Sequence, residues 1–185
     1  MSNSNLTIAV LVGSLRSGSH NRALAELAVA NAPEGVELTI VDGLAELPFY
    51  NEDLDVEGSV PANVAALRES LAGVDAFLFV TPEYNGTIPA VLKNAIDWLS
   101  RPYGAGALAG KPAGVIGAAL GRYAGTWSRQ DTRKSIGVAG AKVVENVEIG
   151  IGTGNLGDEG VATDAIVESV VAAVRTLVDE VAVAV

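Results

Sequence analysis

Five nearly continuous apolar runs constrain the fold of this chain more than any other feature of its sequence. They are Leu6–Val12, Val36–Val41, Asp75–Thr81, Ala113–Ala119 and Val143–Ile149. Parallel strands that are covered by helices on both faces read as continuous apolar runs, because neither face meets water. Segments with helical spacing separate the runs, which is the βαβ rhythm of a parallel sheet. The sequence therefore predicts an α/β fold in three layers, with one doubly wound five-stranded parallel sheet between two layers of helices.

Helices are predicted where apolar residues recur three and four positions apart. The stripes are Leu24, Leu27 and Ala28; Val64, Leu67 and Leu71; Ile88, Val91, Leu92, Ala95 and Leu99; and one face of a last helix from Thr163 to Val181. A chain of 185 residues is long enough for one ordinary domain. Because no linker or internal repeat is visible, residues 1–185 are expected to form a single domain.

Composition excludes several kinds of chemistry. The chain has no cysteine, so disulfides, thiolate catalysis and iron–sulfur ligation are excluded. One histidine, His20, cannot build a multi-histidine metal site. No metal site is predicted, although a carboxylate-held magnesium ion is not excluded. The formal net charge of −10 opposes binding to nucleic acid, which depends on clustered Lys and Arg.

The first residues, Met1–Asn5, include no basic segment. The apolar run behind them is too short for a signal peptide or a membrane span. The sequence therefore predicts a cytoplasmic protein with no membrane partner.

The loop that joins the first apolar run to the first helix is rich in hydrogen-bond donors. They are the hydroxyls of Ser14, Ser17 and Ser19, the amide of Asn21 and the guanidinium of Arg16. A helix that begins here adds free backbone N–H groups and the positive end of its dipole, so the loop is predicted to hold a phosphate. It lacks the spacing of a P-loop and of a dinucleotide fingerprint. The alternative is an ordinary polar turn with a Ser or Asn cap.

A second polar loop, Pro82–Pro89, follows the third apolar run. Ligands in open parallel sheets bind past the carboxyl ends of the strands, where the winding direction reverses, so this loop is expected to converge with the first. Tyr84, Asn85 and the backbone N–H groups suit the rim of a flat heterocycle such as an isoalloxazine. The alternative is that Tyr84 and Asn85 only form a β-turn. Thr87 is predicted as the N-cap of the next helix, with Pro89 in its first turn.

The two loops together carry a family resemblance. The chain resembles the NADPH-dependent FMN reductases and their chromate- and quinone-reductase relatives in two motifs, G-S-x-R-x-x-S-x-N after the first run and P-E-Y-N-G after the third. The predicted helical segment 92–102 also fits the pattern of this family. The resemblance implies a flavodoxin-like fold that binds FMN non-covalently. The cofactor-binding residues that it implies are Ser14, Leu15, Arg16, Ser19, His20 and Asn21 near the phosphate, Pro82, Glu83, Tyr84, Asn85 and Gly86 along the ring, and Gly117 and Gly121 in a third loop. That third loop, 117–125, departs from the Gly/Ser/Pro-rich loop of many relatives and has fewer hydroxyls.

The activity that the resemblance implies is hydride transfer from NAD(P)H through bound FMN to a small acceptor. The acceptors would be quinones, free flavin, azo compounds or metal oxyanions such as chromate. No catalytic protein residue is predicted, because the flavin N5 carries the hydride. A flavodoxin-type electron carrier and a non-catalytic flavin-binding protein remain as alternatives.

Further expectations concern the substrates and the oligomeric state. The residues predicted to line the substrate site are Tyr84, Arg101 and Arg122. Arg129 is a further candidate for docking anionic NAD(P)H. For each Arg taken singly, the alternative is a solvated surface charge or a subunit contact. Glu83 is interpreted as a residue that shapes the backbone or forms an ion pair, and His20 as a helix-start residue. A homodimer or homotetramer is predicted from the third helix with its Trp98 and from the extension 103–108.

Overall fold

The computed structural model describes residues 6–184. Val185 and the segment Met1–Asn5 lie outside the described residues, and so do the expectations stated for that segment. One five-stranded parallel sheet has the strand order β2-β1-β3-β4-β5. Its strands are β1 (Leu6–Val12), β2 (Val36–Ile40), β3 (Ala76–Val80), β4 (Pro112–Ala119) and β5 (Lys142–Gly152). The helices are α1 (His20–Ala30), α2 (Ala62–Ala72), α3 (Ala90–Leu99), α4 (Thr126–Val138) and α5 (Asp164–Ala184).

The predicted three-layer α/β fold is confirmed. One core lies between the sheet and the helices α1 and α5, and a second lies on the opposite face, beneath α2, α3 and α4. The central strand β3 is buried at every position, and Phe77 and Phe79 are fully buried in the second core. Burying such a side chain contributes about 1.5–3 kcal/mol, which explains why the apolar runs were reliable signals for the strands.

Strand β5 extends three residues beyond the predicted end at Ile149. Its register against β4 shifts between Ala113, which pairs with Val143, and Val115, which pairs with Glu148. The exposed positions alternate along this edge strand, so a rule based on continuous apolar runs ends it too early.

Among the α-helices of residues 6–184, α4 is the one that the apolar pattern did not predict. Its buried residues are Ser128, Arg129, Thr132, Arg133 and Ile136. Four of these five are polar or charged, so no apolar stripe marks the helix in the sequence. Thr132 donates to the Ser128 carbonyl within the helix, whereas Ser128, Arg129 and Arg133 contact groups on other elements, which only the folded chain brings close.

The connection between β2 and α2 is attached to α3. The Asn94 side chain accepts a hydrogen bond from the Tyr50 amide at 2.8 Å and donates to the Pro48 carbonyl at 3.0 Å. The Trp98 indole N–H donates to the same carbonyl at 2.7 Å, and its side chain is fully buried. Trp98 therefore packs inside the chain, and it no longer supports the predicted oligomer as an exposed contact.

Within residues 6–184, no helix combines the length and the apolar character needed to cross a membrane.

Candidate functional site

Three loops meet at the carboxyl edge of the sheet: the β1 loop (residues 13–19), the β3 loop (residues 81–89) and the β4 loop (residues 120–125). Their strands are adjacent in the order β1-β3-β4 and run parallel. The Gly13 amide donates to the Val80 carbonyl at 2.9 Å. A Cβ at Gly13 would lie 3.2 Å from the Pro82 ring, and one at Gly117 would lie 2.1 Å from the Thr81 carbonyl oxygen. Both glycines therefore allow the β3 loop to pack closely against its neighbours.

The β1 loop presents most of its polar side chains to the surface, and Ser19 at its end is buried. Ser14 is half-buried, and Arg16 and Leu15 are exposed. Ser19 is the N-cap of α1, where its hydroxyl oxygen accepts from the Arg22 amide at 3.2 Å. The helix begins at His20, as predicted. The Ser cap and an anion site are compatible, because the cap satisfies one amide and the first turn still has unpaired N–H groups.

Asn21 makes its contacts with the end of β4. Its side-chain amide donates to the Ala118 carbonyl at 2.9 Å, and its side-chain oxygen accepts from the Ala118 amide at 2.8 Å. The side chain is nearly fully buried. Asn21 thus attaches α1 to β4, which differs from the expected direct contact with a phosphate.

The β3 loop folds into a two-residue turn. Tyr84 and Thr87 exchange backbone hydrogen bonds of 3.3 and 3.2 Å, and the central residues Asn85 and Gly86 have φ values of 52° and 75°. Positive φ at both central positions is the signature of a type I′ turn, for which Asn-Gly is the preferred pair. The β-turn alternative is therefore correct as geometry. It leaves Tyr84 52% exposed at the edge of the sheet.

The predicted N-cap at Thr87 is wrong. Helix α3 begins at Ala90 with Pro89 in the N-cap position, where its extended backbone suits the cap. The Thr87 hydroxyl instead donates to the Asp131 carboxylate on α4 at 2.7 Å.

Helix α4 is bonded to the β3 loop at its amino end. The Glu83 carboxylate accepts from the Ser128 amide at 3.1 Å, and an acceptor with negative charge is favourable at a helix amino end. The Ser128 hydroxyl donates to the Pro82 carbonyl at 2.8 Å and lies 2.8 Å from the Thr81 hydroxyl. Glu83 is therefore a backbone-shaping residue, as the sequence suggested, and the element that it shapes is α4.

The β4 loop contributes aromatic and cationic groups. The ring centroids of Tyr123 and Trp127 are 5.1 Å apart, and the Arg122 guanidinium lies 4.7 Å from the Tyr123 ring centroid. Both aromatic side chains are about half exposed. A Cβ at Gly86 would lie 3.8 Å from the Trp127 ring, so this pair borders the β3 turn. Sequence reasoning did not select Tyr123 or Trp127, because α4, which follows Tyr123 and carries Trp127 in its first turn, was not recognised as a helix.

Two of the predicted docking cations are not exposed at the three-loop edge. Arg129 is only 6% exposed, and its guanidinium faces Ala124 and Glu148. Burial is the main cause that lowers the pKa of Arg129, and the Glu148 charge partly offsets it. Arg129 is therefore a buried structural cation, which corrects the expectation of an exposed group that docks NAD(P)H.

Arg101 follows the carboxyl end of α3 and does not reach the three loops. Its guanidinium lies 5.7 Å from the Tyr50 ring centroid. It lines a small pocket of about 200 Å³ together with Lys111, the residue before β4, and so lies near the amino edge of the sheet. The prediction that Arg101 lines the substrate site of its own chain does not fit this position, because α3 runs antiparallel to the strands and carries its end away from the carboxyl edge.

A cavity of about 750 Å³ lies away from the three loops, between β2 and α2. Its lining includes Thr39, Val41, Leu67 and Leu71, and none of the predicted cofactor-binding residues. Within the described residues no group of three or more His, Asp or Glu side chains is positioned to hold a metal ion. The hydrogen-bonding and aromatic groups that suit a ligand are concentrated at the three-loop edge.

The strand order and the polar loops after β1 and β3, where the winding direction reverses, define a flavodoxin-like protein. The solved structure of FerB, a flavoenzyme NAD(P)H:(acceptor) oxidoreductase from Paracoccus denitrificans, matches with a TM-score of 0.83 and 32% identity, covering 96% of this chain and 97% of that one.

Residues 6–155 match the NADPH-dependent FMN reductase family. A quinone reductase of Pseudomonas putida is 43% identical over 130 residues, which are 70% of this chain and 69% of that protein. An NAD(P)H-dependent FMN reductase of Pseudomonas aeruginosa is 40% identical over 132 residues, 71% of this chain and 70% of that protein. The chain belongs to the NADPH-dependent FMN reductase family, as its two loop motifs predicted, and it is an oxidoreductase.

Proposed function

We propose that this protein binds FMN at the three-loop edge and catalyses electron transfer from NAD(P)H to small acceptors, with quinones as the principal class. One observation carries the proposal: the donor-rich β1 loop, at the amino end of α1, packs at Gly13 against Pro82 of the β3 loop, and the type I′ turn follows two residues later. FMN joins an anionic phosphate tail to a flat polar ring, so a protein that binds it needs a phosphate-binding loop beside a ring-binding loop.

The residues present fit FMN. Arg16 and Ser14 are accessible to a phosphate monoester, and a guanidinium meets a phosphate with two parallel hydrogen bonds. The first amides of α1, including that of His20, add donors and a favourable dipole. Ser19 keeps its hydroxyl proton for the same phosphate, because its oxygen acts as the acceptor in the cap. Leu15 covers the phosphate from the solvent side.

The ring end is assigned to the turn of the β3 loop. The bonds within the turn use the N–H groups of Tyr84 and Thr87, so the donors for the polar rim of the ring are the N–H groups of Asn85 and Gly86. Pro82 and Glu83 stiffen the turn, because Ser128 is bonded to both. Gly117, which was expected in the third loop, lies within β4 and lets Thr81 pack closely against that strand, and Gly121 in the β4 loop is assigned to the other side of the ring. Asn21 supports the site through Ala118.

FMN, if bound here, would supply the redox chemistry, which is hydride transfer between NAD(P)H and the acceptor. The protein positions the reactants and excludes water, and none of its side chains needs to act as an acid or a base. Tyr84, Tyr123 and Trp127 offer flat apolar surfaces to planar substrates, and Arg122 offers a cation to the phosphates of NAD(P)H. The aromatic border favours quinones and free flavin. Azo compounds and chromate are included as further acceptors, because the hydride comes from the cofactor.

We propose in addition that the protein is a cytoplasmic homodimer or homotetramer. The cytoplasm is the compartment that supplies NAD(P)H. Tyr103 and Val138 are 88% and 81% exposed and line one groove of about 450 Å³ between α3 and α4. Light scattering at micromolar concentration tests the assembly, and a monomeric mass would contradict it.

The function is tested by adding FMN and NADPH to the purified protein with menadione as the acceptor. We expect a yellow protein and steady NADPH oxidation that depends on menadione. A protein that binds FMN but needs a partner reductase to be reduced would instead be an electron carrier. A protein that stays colourless after soaking in excess FMN would overturn the proposal.

A further inference from the structure

We infer that Arg129 is a positioning residue, which holds the β4 loop in its ligand-binding shape. Its guanidinium occupies a space beside strand β5, here called the socket, that is free only because residue 150 is glycine. The inference rests on the proposed function, since the ligand is FMN. It concerns residues outside every predicted cofactor contact, on α4 and on the edge strand β5.

The socket is formed by the backbone of β5. A Cβ at Gly150 would lie 2.2 Å from Nη1 of Arg129, 2.5 Å from Cζ and 2.6 Å from Nη2. Real Cβ atoms do not approach other atoms so closely, so any side chain at position 150 displaces the guanidinium. Gly152 is two residues further along the same strand, and a Cβ there would meet nothing within 4 Å.

The guanidinium reaches from this socket to the β4 loop. Nη1 donates to the Ala124 carbonyl, and Nη2 lies 3.5 Å from the Thr126 hydroxyl. Ala124 has a φ of 50° and is followed by Gly125 at 74°. A residue with a Cβ is strained in this left-handed region. Arg129 therefore bonds the carbonyl of the one strained alanine in the loop, and this bond offsets part of the strain.

The charges around Arg129 indicate a positioning role. Glu148 lies 3.6 Å from Nη2 and is shared with Arg133, and Glu83 contributes attraction from the β3 loop. Within the described residues, Nε of Arg129 has no hydrogen-bond partner, and the same holds for Nε of Arg133, so the two residues differ in what their other nitrogens contact. A buried guanidinium with an incomplete set of partners is weak support for stability alone.

Arg133 provides the comparison. It is nearly as buried as Arg129, lies 3.0 Å from Glu148 and donates to the Val147 carbonyl at 2.9 Å. Among the described residues its bonds run to β5, and none runs to the β4 loop. Arg133 therefore joins α4 to β5, whereas Arg129 joins β5 to the loop that carries Arg122 and Tyr123.

The test compares Gly150→Ala and Arg129→Gln with Gly152→Ala and Arg133→Gln. Two readouts are measured: the FMN dissociation constant, and acrylamide quenching of tryptophan fluorescence in the apoprotein. The chain has two tryptophans, and Trp98 is fully buried, so quenching reports on Trp127 beside the loop.

We expect Gly150→Ala and Arg129→Gln each to weaken FMN binding by about tenfold and to increase the quenching. The double variant should be no worse than Arg129→Gln, because both changes remove one contact. Arg129→Lys should recover part of the affinity. Gly152→Ala should leave both readouts unchanged, and Arg133→Gln should lower the midpoint of thermal unfolding while FMN binding stays near that of the parent protein.

The inference is overturned if Gly150→Ala changes neither readout, or if Arg133→Gln weakens FMN binding as much as Arg129→Gln does. Its failure is distinct from failure of the proposed function. If the parent protein does not bind FMN, the function is wrong, and the apoprotein quenching still decides whether Arg129 holds the loop.

Discussion

The Glu83 carboxylate accepts a hydrogen bond from the Ser128 amide at 3.1 Å, so a side chain of the β3 loop caps a helix that lies 45 residues further along the chain. Thr87 repeats the connection by donating to Asp131 at 2.7 Å. These bonds join the β3 loop and its turn to α4, the helix that carries Trp127 of the aromatic pair. The position of the proposed ring-binding surface therefore depends on a helix that contributes little to the apolar core.

Removing this cap should destabilise the protein and loosen α4. Glu83→Ala deletes the acceptor and its charge at the helix amino end, so the free energy of unfolding should fall by about 1 kcal/mol. Glu83→Gln keeps an acceptor oxygen and should lose less. Urea unfolding measures both. Equal stability of the parent protein and Glu83→Ala would show that the bond does not contribute.

The phosphate assignment predicts that Ser14→Ala with Arg16→Ala releases FMN while the fold persists. The hydrogen bonds lost are charge-assisted and lie at the ligand, so affinity should fall by about a hundredfold, equivalent to about 3 kcal/mol. Gel filtration and the flavin absorbance measure retention, and circular dichroism checks the fold. Arg22→Ala is the matched control, because Arg22 pairs with Glu26 and Asp42 and lies outside the proposed set. Unchanged FMN retention in the double variant would remove the assignment.

The type I′ turn predicts a specific sensitivity to a side chain at position 86. Gly86 has a φ of 75°, so Gly86→Ala should cost about 1–2 kcal/mol of stability and weaken FMN binding by distorting the turn. Gly73→Ala is the control, because Gly73 has a φ of −93° and a Cβ there would meet nothing within 4 Å. If both variants unfold at the same urea concentration as the parent protein, the turn tolerates a side chain and this prediction is wrong.

The environment of Lys111, near the amino edge of the sheet, predicts that the stability of the protein depends on pH. Burial lowers the pKa of Lys111 below its usual 10.5, and Asp75 partly offsets the shift. The unfolded chain therefore holds this proton more tightly than the folded chain does, so this group makes stability rise as the pH increases through the folded pKa towards 10.5. Lys111→Met should flatten that alkaline rise. Urea unfolding of both proteins from pH 8 upward measures the difference, and parallel curves would contradict the prediction.

The strands and the two loop motifs could be predicted because the residues that determine each of them are neighbours in the sequence. Leu6–Val12 and its counterparts are apolar because helices cover both faces of the sheet, and the Asn85-Gly86 pair carries its own turn geometry. Helix α4 could not be predicted in the same way, because its inner face is polar and its partners, such as Glu83, come from other elements.

The sequence by itself determined the α/β class, the order of the elements and the loops that carry the donors, because local apolar spacing and turn chemistry decide those features. Only the tertiary structure decided that Asn21 bonds to Ala118, that Arg129 is buried behind Gly150, and that Arg101 lies far from the site. These outcomes depend on which side chains meet across long sequence separations. The sequence shows which side chains are charged or can form hydrogen bonds. The packing of the sheet and its helices decides which partner each of these side chains contacts.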